Sequence, residues 1–252
     1  MVSQKVLVRR GGAVAEVTLN RPSRGNAVDT EMLQLLVTSV KDVANDPECA
    51  VVVIRSAGDH FCSGWDTAGF AELGRRSAEE LAAELCDVHR LLEELWAVPA
   101  VTVAGVQGMA AGFGLGLLAH VHVAVAAADA RFALPEVRHG IAPAGVLVDL
   151  ARALPAKAVL DLTLTGEPVT AERARELGLV SRVVGPDALG AEVERLAGVI
   201  AGHPVSGVTR ALESYRRITA APSGGALEAA AASAAFSVKQ AMAARRPEGN
   251  TK

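Results

Sequence analysis

The chain has 252 residues, half of them apolar, and a net charge of -3 with both signs interspersed. That length buries a substantial core as one large domain, or as a core with a small appendage, and that charge excludes the basic footprint of a nucleic-acid binder. The cysteines Cys49, Cys62 and Cys86 are scattered without a C-x-x-C pair, which excludes a disulfide framework or zinc knuckle and fits a reducing, cytoplasmic setting.

The opening "MVSQKVLVRRGG" has basic residues but no apolar run of the signal-peptide kind. "KVLVRRGGAVAEVTLN" predicts two strands about a Gly-Gly turn. After the loop "RPSRGNAV", Asp29 is placed to cap a helix whose apolar face is Met32, Leu33, Leu36, Val40 and Val43. "AVVVIRSAG" reads as a wholly buried strand of a parallel sheet. The loop "DHFCSGWD" follows, and then a helix over residues 78–96 with Leu81, Leu85, Val88, Leu92 and Leu95 on its apolar face.

Residues 97–128 contain no Asp, Glu, Lys or Arg, a run long enough to span a membrane. Pro99 and five glycines between 105 and 116 break it, so it reads instead as a buried strand, a glycine loop, a helical turn and another buried strand. "ARFALPEVRHGIAPAG" reads as a strand edge and loop, followed by helices around "VLVDLARAL" and "AKAVLDLTLTG". Thr170 and Gly178 bracket a further helix that leads into a last strand. The remainder reads as helical, Ala-rich over residues 225–244, with a frayed polar tail. Strands alternating with helices give an α/β fold, and there is no internal repeat of useful length.

Two loops attract attention. "QGMAAGFGLG" (residues 107–116) is bare of side chains just before a helix, where free N–H groups and the positive end of the dipole favour an oxygen gaining negative charge. The spacing fits neither a dinucleotide fingerprint nor a phosphate-binding P-loop. Taken alone, tight helix–sheet packing explains such glycines better than chemistry does. "FCSGWD" lies beyond the carboxyl end of a buried strand, where ligands of α/β sheets sit. Ser63 is not in G-x-S-x-G, so its backbone N–H is of more interest than its hydroxyl.

With "LNRPSRGNAV", "VVVIRSAGDHFCSGWD", "VPAVTVAGVQGMAAGFGLGL", "DARFALPEVRHGIAPAG" and "LTGEPVTAERARELGLVSRVV" in that order, about two thirds of the chain resembles the crotonase (enoyl-CoA hydratase/isomerase) superfamily. The resemblance implies an α/β spiral of β-β-α units over residues 1–195. It implies a C-terminal helical region over residues 196–252 that builds homotrimers, alone or paired. The substrate it implies is an acyl-CoA thioester, with coenzyme A part of that substrate and no separate cofactor; from the residues themselves, no metal, nucleic acid or membrane is expected. Carried over by position, the oxyanion hole falls on the backbone N–H groups of Ser63 and Phe113. Ser63, Gly64, Trp65 and Asp66 would line coenzyme A, and Arg24 is a candidate for a phosphate contact, with a solvated loop arginine as the alternative.

Hydratases of the superfamily use two glutamates. One falls on Glu136 of "LPEVRHG", but the other position is Gly116. One carboxylate suffices to shift a proton from C2 to C4 of a 3-enoyl thioester, so isomerisation is expected ahead of hydration. Thioester hydrolysis, decarboxylation, or acyl-CoA binding without turnover are the further alternatives. His120 and His122, two apart, suggest a metal pair but have no third ligand in register, and a structural role is preferred. His139 is a candidate proton donor or a plain loop residue. Asp149 could reach the site but is expected in solvent. Ala144 stands where aryl-CoA dehalogenating relatives carry an aspartate, which counts against that chemistry.

Overall fold

The computed structural model describes residues 4–69 and 77–220. Strands β1 (Val6–Gly11) and β2 (Val14–Leu19) pair antiparallel about a turn in which Gly12 takes a φ of +66°. Alternate residues of β2, Ala15, Val17 and Leu19, are buried, as its period of two requires. Helix α1 (Thr30–Ala44) begins where the Asp29 carboxylate accepts the Met32 N–H at 2.8 Å, and it buries the five predicted apolar residues. Strand β3 (Val51–Ser56) is buried along Val51–Ile54. Helix α2 (Ala78–Trp96) starts with a reciprocal capping box between Ser77 and Glu80. Leu92 and Leu95 of α2 are buried, but Leu85 is 54% exposed and leaves the apolar face assigned to it.

The charge-free run then becomes β4 (Val101–Val106), β5 (Met109–Ala111), α3 (Phe113–Ala119) and β6 (Val123–Ala127). Among the described residues no helix is long and apolar enough to cross a membrane. Next come β7 (Arg131–Ala133), a 3-10 turn (Pro135–His139), α4 (Ala144–Ala153) and α5 (Ala156–Thr165). The chain continues through β8 (Val169–Thr170), α6 (Ala171–Leu177), β9 (Arg182–Val184), α7 (Leu189–Ala201) and α8 (Val205–Ala220). Thr170 caps α6 through the Arg173 N–H, and Gly178 ends it in the left-handed conformation. The boundary expected between 195 and 196 falls inside the continuous helix α7. The Ala-rich stretch 225–244 and the tail lie outside the described residues.

Six strands form one sheet in the order β1-β2-β3-β4-β6-β9, parallel except for the first pair. A second sheet, β5-β7-β8, is extended by isolated bridges from Cys62 to Ala110 and from Val28 to Trp65. Each pass of the chain thus places a strand in the large sheet, a short extended segment in the second layer, and then a helix. This is the predicted spiral, and it brings the ends of β3 and β4 side by side under the two loops of interest.

Candidate active site

The loops meet because backbone groups at the carboxyl ends of β3 and β4 bond to each other rather than within a strand. Phe61 N–H donates to Gln107 O (2.9 Å), Cys62 N–H to Met109 O (3.1 Å) and Ala111 N–H to Cys62 O (2.8 Å). The Gln107 amide donates to the carbonyls of Ser56 and Gly58. Two glycines serve this packing. A Cβ on Gly108 would overlap the Asp59 carbonyl, and one on Gly114 would stand 2.9 Å from the Cys62 carbonyl. Buried Asn26, at a φ of +56°, ties down the first loop: its Oδ1 accepts the Arg21 N–H, and its Nδ2 donates to the carbonyls of Ala57 and His60.

The expected pair of oxyanion donors is half corrected. Ser63 N–H donates to Gly25 O at 2.9 Å, and a single proton so engaged is lost to a ligand. Two residues on, the Trp65 N–H has no acceptor among the described residues; its neighbours Gly64 and Asp66 carry the bridge to Val28 instead. The Phe113 N–H, first in α3, likewise has no acceptor, as expected of an initial helical residue. Gly64 takes a φ of +109° and packs against Ala111 and Gly112, which brings residue 65 beside residue 113. The rings of Trp65 and Phe113 meet edge-on with centroids 5.5 Å apart.

The remaining coenzyme A candidates divide. Arg24 is exposed, and its carbonyl accepts the Ser63 hydroxyl at 3.2 Å. Asp66 is a structural pin: one carboxylate oxygen accepts the Ala68 N–H and the other pairs with Arg21 at 2.8 Å. These contacts, the Ala68 N–H foremost, hold its carboxyl below the usual range.

The other two glycines of the loop admit carboxylates. Gly112, at a φ of +51°, caps α3, and a Cβ there would stand 2.5 Å from Glu136 Oε1. Glu136 is half-buried on the 3-10 turn, and its Oε2 is buried without a hydrogen-bond partner. Burial raises its pKa, opposed by its own backbone N–H and by the neighbouring charge of His139. His139 and Ala144 are exposed.

At Gly116, one turn further along α3, a Cβ would stand 2.8 Å from Asp149 Oδ2. Asp149 is therefore not in solvent; on α4 it is 4% exposed and burial raises its pKa. No local pattern signals this, because the space it enters is opened by a missing side chain on another helix. His120 and His122 do not form a metal pair, in line with the structural role preferred for them. The His122 Nδ1 accepts the Thr102 N–H at 3.0 Å and its ring stacks on Trp96, whereas His120 turns toward α2 and Asp149.

A model of the family described as enoyl-CoA hydratase/isomerase matches residues 9–246. The chain is 33% identical over 215 residues to the 2,3-dehydroadipyl-CoA hydratase of Escherichia coli K12, covering 84% of this chain and 82% of that one. It is 31% identical over 225 residues to the enoyl-CoA hydratase EchA19 of Mycobacterium tuberculosis, covering 86% and 82%. Among solved structures, an enoyl-CoA hydratase from Mycobacterium smegmatis aligns with a TM-score of 0.86 at 30% identity, over 98% of this chain and 99% of that one.

Proposed function

Since the chain belongs to the enoyl-CoA hydratase/isomerase family, we propose that it moves a double bond within an enoyl-CoA thioester, with Glu136 as the single base. The thioester oxygen accepts the N–H groups of Trp65 and Phe113 and is stabilised as it gains enolate charge. One such donor is worth ~2.7–4 kcal/mol to a transition state. Glu136 removes a proton from C2 of the 3-enoyl group, the C2=C3 bond forms as the C3=C4 pair shifts, and the same proton returns at C4. The observation that supports this most is the Glu136 carboxylate against Gly112, the residue immediately before the Phe113 N–H. Its unpartnered, buried Oε2 and raised pKa suit a base that must both take and return a proton. Proton transfer of this kind needs no cofactor beyond the coenzyme A of the substrate.

A second reading, hydration of a 2-enoyl thioester, is favoured by one observation: Asp149 Oδ2 occupies the space beside Gly116, so a second carboxylate adjoins the same helix. Four proteins separate the readings: native chain, Glu136→Gln, Asp149→Asn and the double variant, each assayed with a 3-enoyl-CoA and a 2-enoyl-CoA. The isomerase reading expects turnover of the 3-enoyl substrate, a loss of at least about 100-fold in Glu136→Gln, and near-native rates in Asp149→Asn. Water addition that is lost in Asp149→Asn would establish the hydratase instead. Thioester binding without turnover of either substrate would mark a binding relative, or one with other thioester chemistry. We carry forward the homotrimer, alone or paired, as the assembly implied by the family, to be measured by light scattering. We also carry forward the reducing, cytoplasmic setting expected from the scattered cysteines; Cys49, Cys62 and Cys86 are all free thiols.

A further inference from the structure

Behind α3, the side chains of His89 and Glu93 on α2 converge with His120 at the end of α3. Their ligating atoms all lie within 4.8 Å of one another. His89 Nε2 is 3.4 Å from Glu93 Oε1, and His120 Nε2 is 3.7 Å from the same oxygen. Ligands at zinc's usual distances in a tetrahedron stand about 3.3–3.4 Å apart, so the two contacts to Glu93 Oε1 are already near that spacing, and the remaining pair, within 4.8 Å, closes by side-chain rotation.

The hydrogen bonds on the far side of each ring dictate what the near side offers. His120 Nδ1 faces the Gly116 carbonyl at 2.9 Å; a carbonyl can only accept, so Nδ1 carries the proton and Nε2 of the neutral ring is a bare lone pair. His89 Nδ1 meets Asp149 Oδ1 at 2.8 Å and donates to it when that carboxyl is ionised, which leaves His89 Nε2 as the second lone pair. Two imidazole lone pairs therefore face a carboxylate oxygen, an arrangement of acceptors against acceptors in which, among the described residues, the only cation is the Arg152 guanidinium on Glu93. A carboxylate or carbonyl behind each ligating histidine is the usual support of such a metal site. Arg152, an exposed side chain on α4, now pairs with Glu93 and is the group an ion would displace. Glu93, His120, Asp149 and Arg152 also line a cavity of about 690 Å³, which supplies a path inward.

We propose that His89 Nε2, His120 Nε2 and the Glu93 carboxylate form a binding site for one divalent transition-metal ion of the zinc type. Two imidazoles and one carboxylate suit zinc and its neighbours and not magnesium or calcium, which prefer all-oxygen shells. Asp149 acts here by orienting His89, and the bare Cα of Gly116 is what lets it stand there.

The test is a titration of the full, metal-stripped chain with Zn²⁺ alone, with Co²⁺ as a spectroscopic probe and Mg²⁺ as the hard-ion comparison. One Zn²⁺ per chain is expected, with the intense visible bands of tetrahedral Co²⁺ and no uptake of Mg²⁺. Asp149→Asn, which weakens the bond that orients His89, should weaken Zn²⁺ about 10–100-fold. Glu93→Gln and His89→Asn, both on the partly exposed face of α2, should weaken it further, and Arg152→Ala should tighten it. Circular dichroism of each variant checks that it is folded. Absence of stoichiometric Zn²⁺ binding overturns the site. So does an affinity unchanged in both Glu93→Gln and His89→Asn, or one that disappears only with the exposed thiol in Cys86→Ser. None of these readouts depends on turnover, so the site stands or falls separately from the isomerase reading.

Discussion

A carboxylate buried beside a ligand site titrates late, and Glu136 shows the consequence at the scale of one residue. Its folded pKa lies above the ordinary 4.5 because burial disfavours the charged form. The base is active when ionised, so kcat/KM should rise with pH along a limb of unit slope centred above 4.5; a limb at or below that value contradicts the assignment. The same shift makes the ionised form cost stability, with no cost below the unfolded pKa and the full cost above the folded one. Glu136→Gln should therefore resist urea better than the native chain at pH 8, with the difference closing near pH 4. The loop glycines predict differently from one another. Gly108→Ala forces a Cβ into the Asp59 backbone at a φ of +58° and should cost upwards of about 2 kcal/mol in urea unfolding. Gly116→Ala meets only the tip of the Asp149 side chain and should cost clearly less. A finding that the two cost the same would remove this account of the loop.

At the scale of elements, the joint of β4 and β6 depends on one imidazole. His122 takes the Thr102 N–H on Nδ1 while its own N–H donates to the Thr102 hydroxyl, and its ring stacks on Trp96 of α2 at 4.8 Å. Burial, assisted by the nearby Arg216 charge, lowers its pKa to about 4 from 6.5. A depressed histidine pKa contributes stability that is whole above 6.5 and lost as pH falls toward 4. Protonation removes the acceptor that the Thr102 N–H needs. Equilibrium unfolding should show a fall on the order of 2–3 kcal/mol between pH 7 and pH 4 from this group, and His122→Asn should flatten that part of the profile. Elements were legible where their causes are local. The Asp29 and Thr170 caps, the Gly178 stop and the apolar period of α1 all sit where the sequence predicts them. Leu85 fails because α2 is covered along a narrower stripe than its pattern of apolar residues suggests.

For the molecule as a whole, stability concentrates in the middle of the large sheet. β3 and β4 are buried along Val51–Ile54 and Val101–Val106, whereas β1 shows only Val6 buried and forms an edge. Amide exchange should accordingly be slowest at Val52 and Val103 and much faster along β1; equal protection would mean that β1 is covered in the assembled protein. The fold was readable because strand and helix periods recur along the chain in an order that permits few arrangements.

What the sequence determined by itself was everything carried by near neighbours: strand and helix periods, caps, the bare approach to α3, and Glu136 with its apolar flanks. Only the tertiary structure decided which donors stay free and which side chains meet. Ser63 loses its N–H to Gly25, leaving Trp65 to stand beside Phe113. Asp149 enters the space left at Gly116, and His89 and Glu93 come from an earlier helix to meet His120. Such meetings depend on how separate elements pack in three dimensions, and neither periodicity nor spacing along a single segment records that.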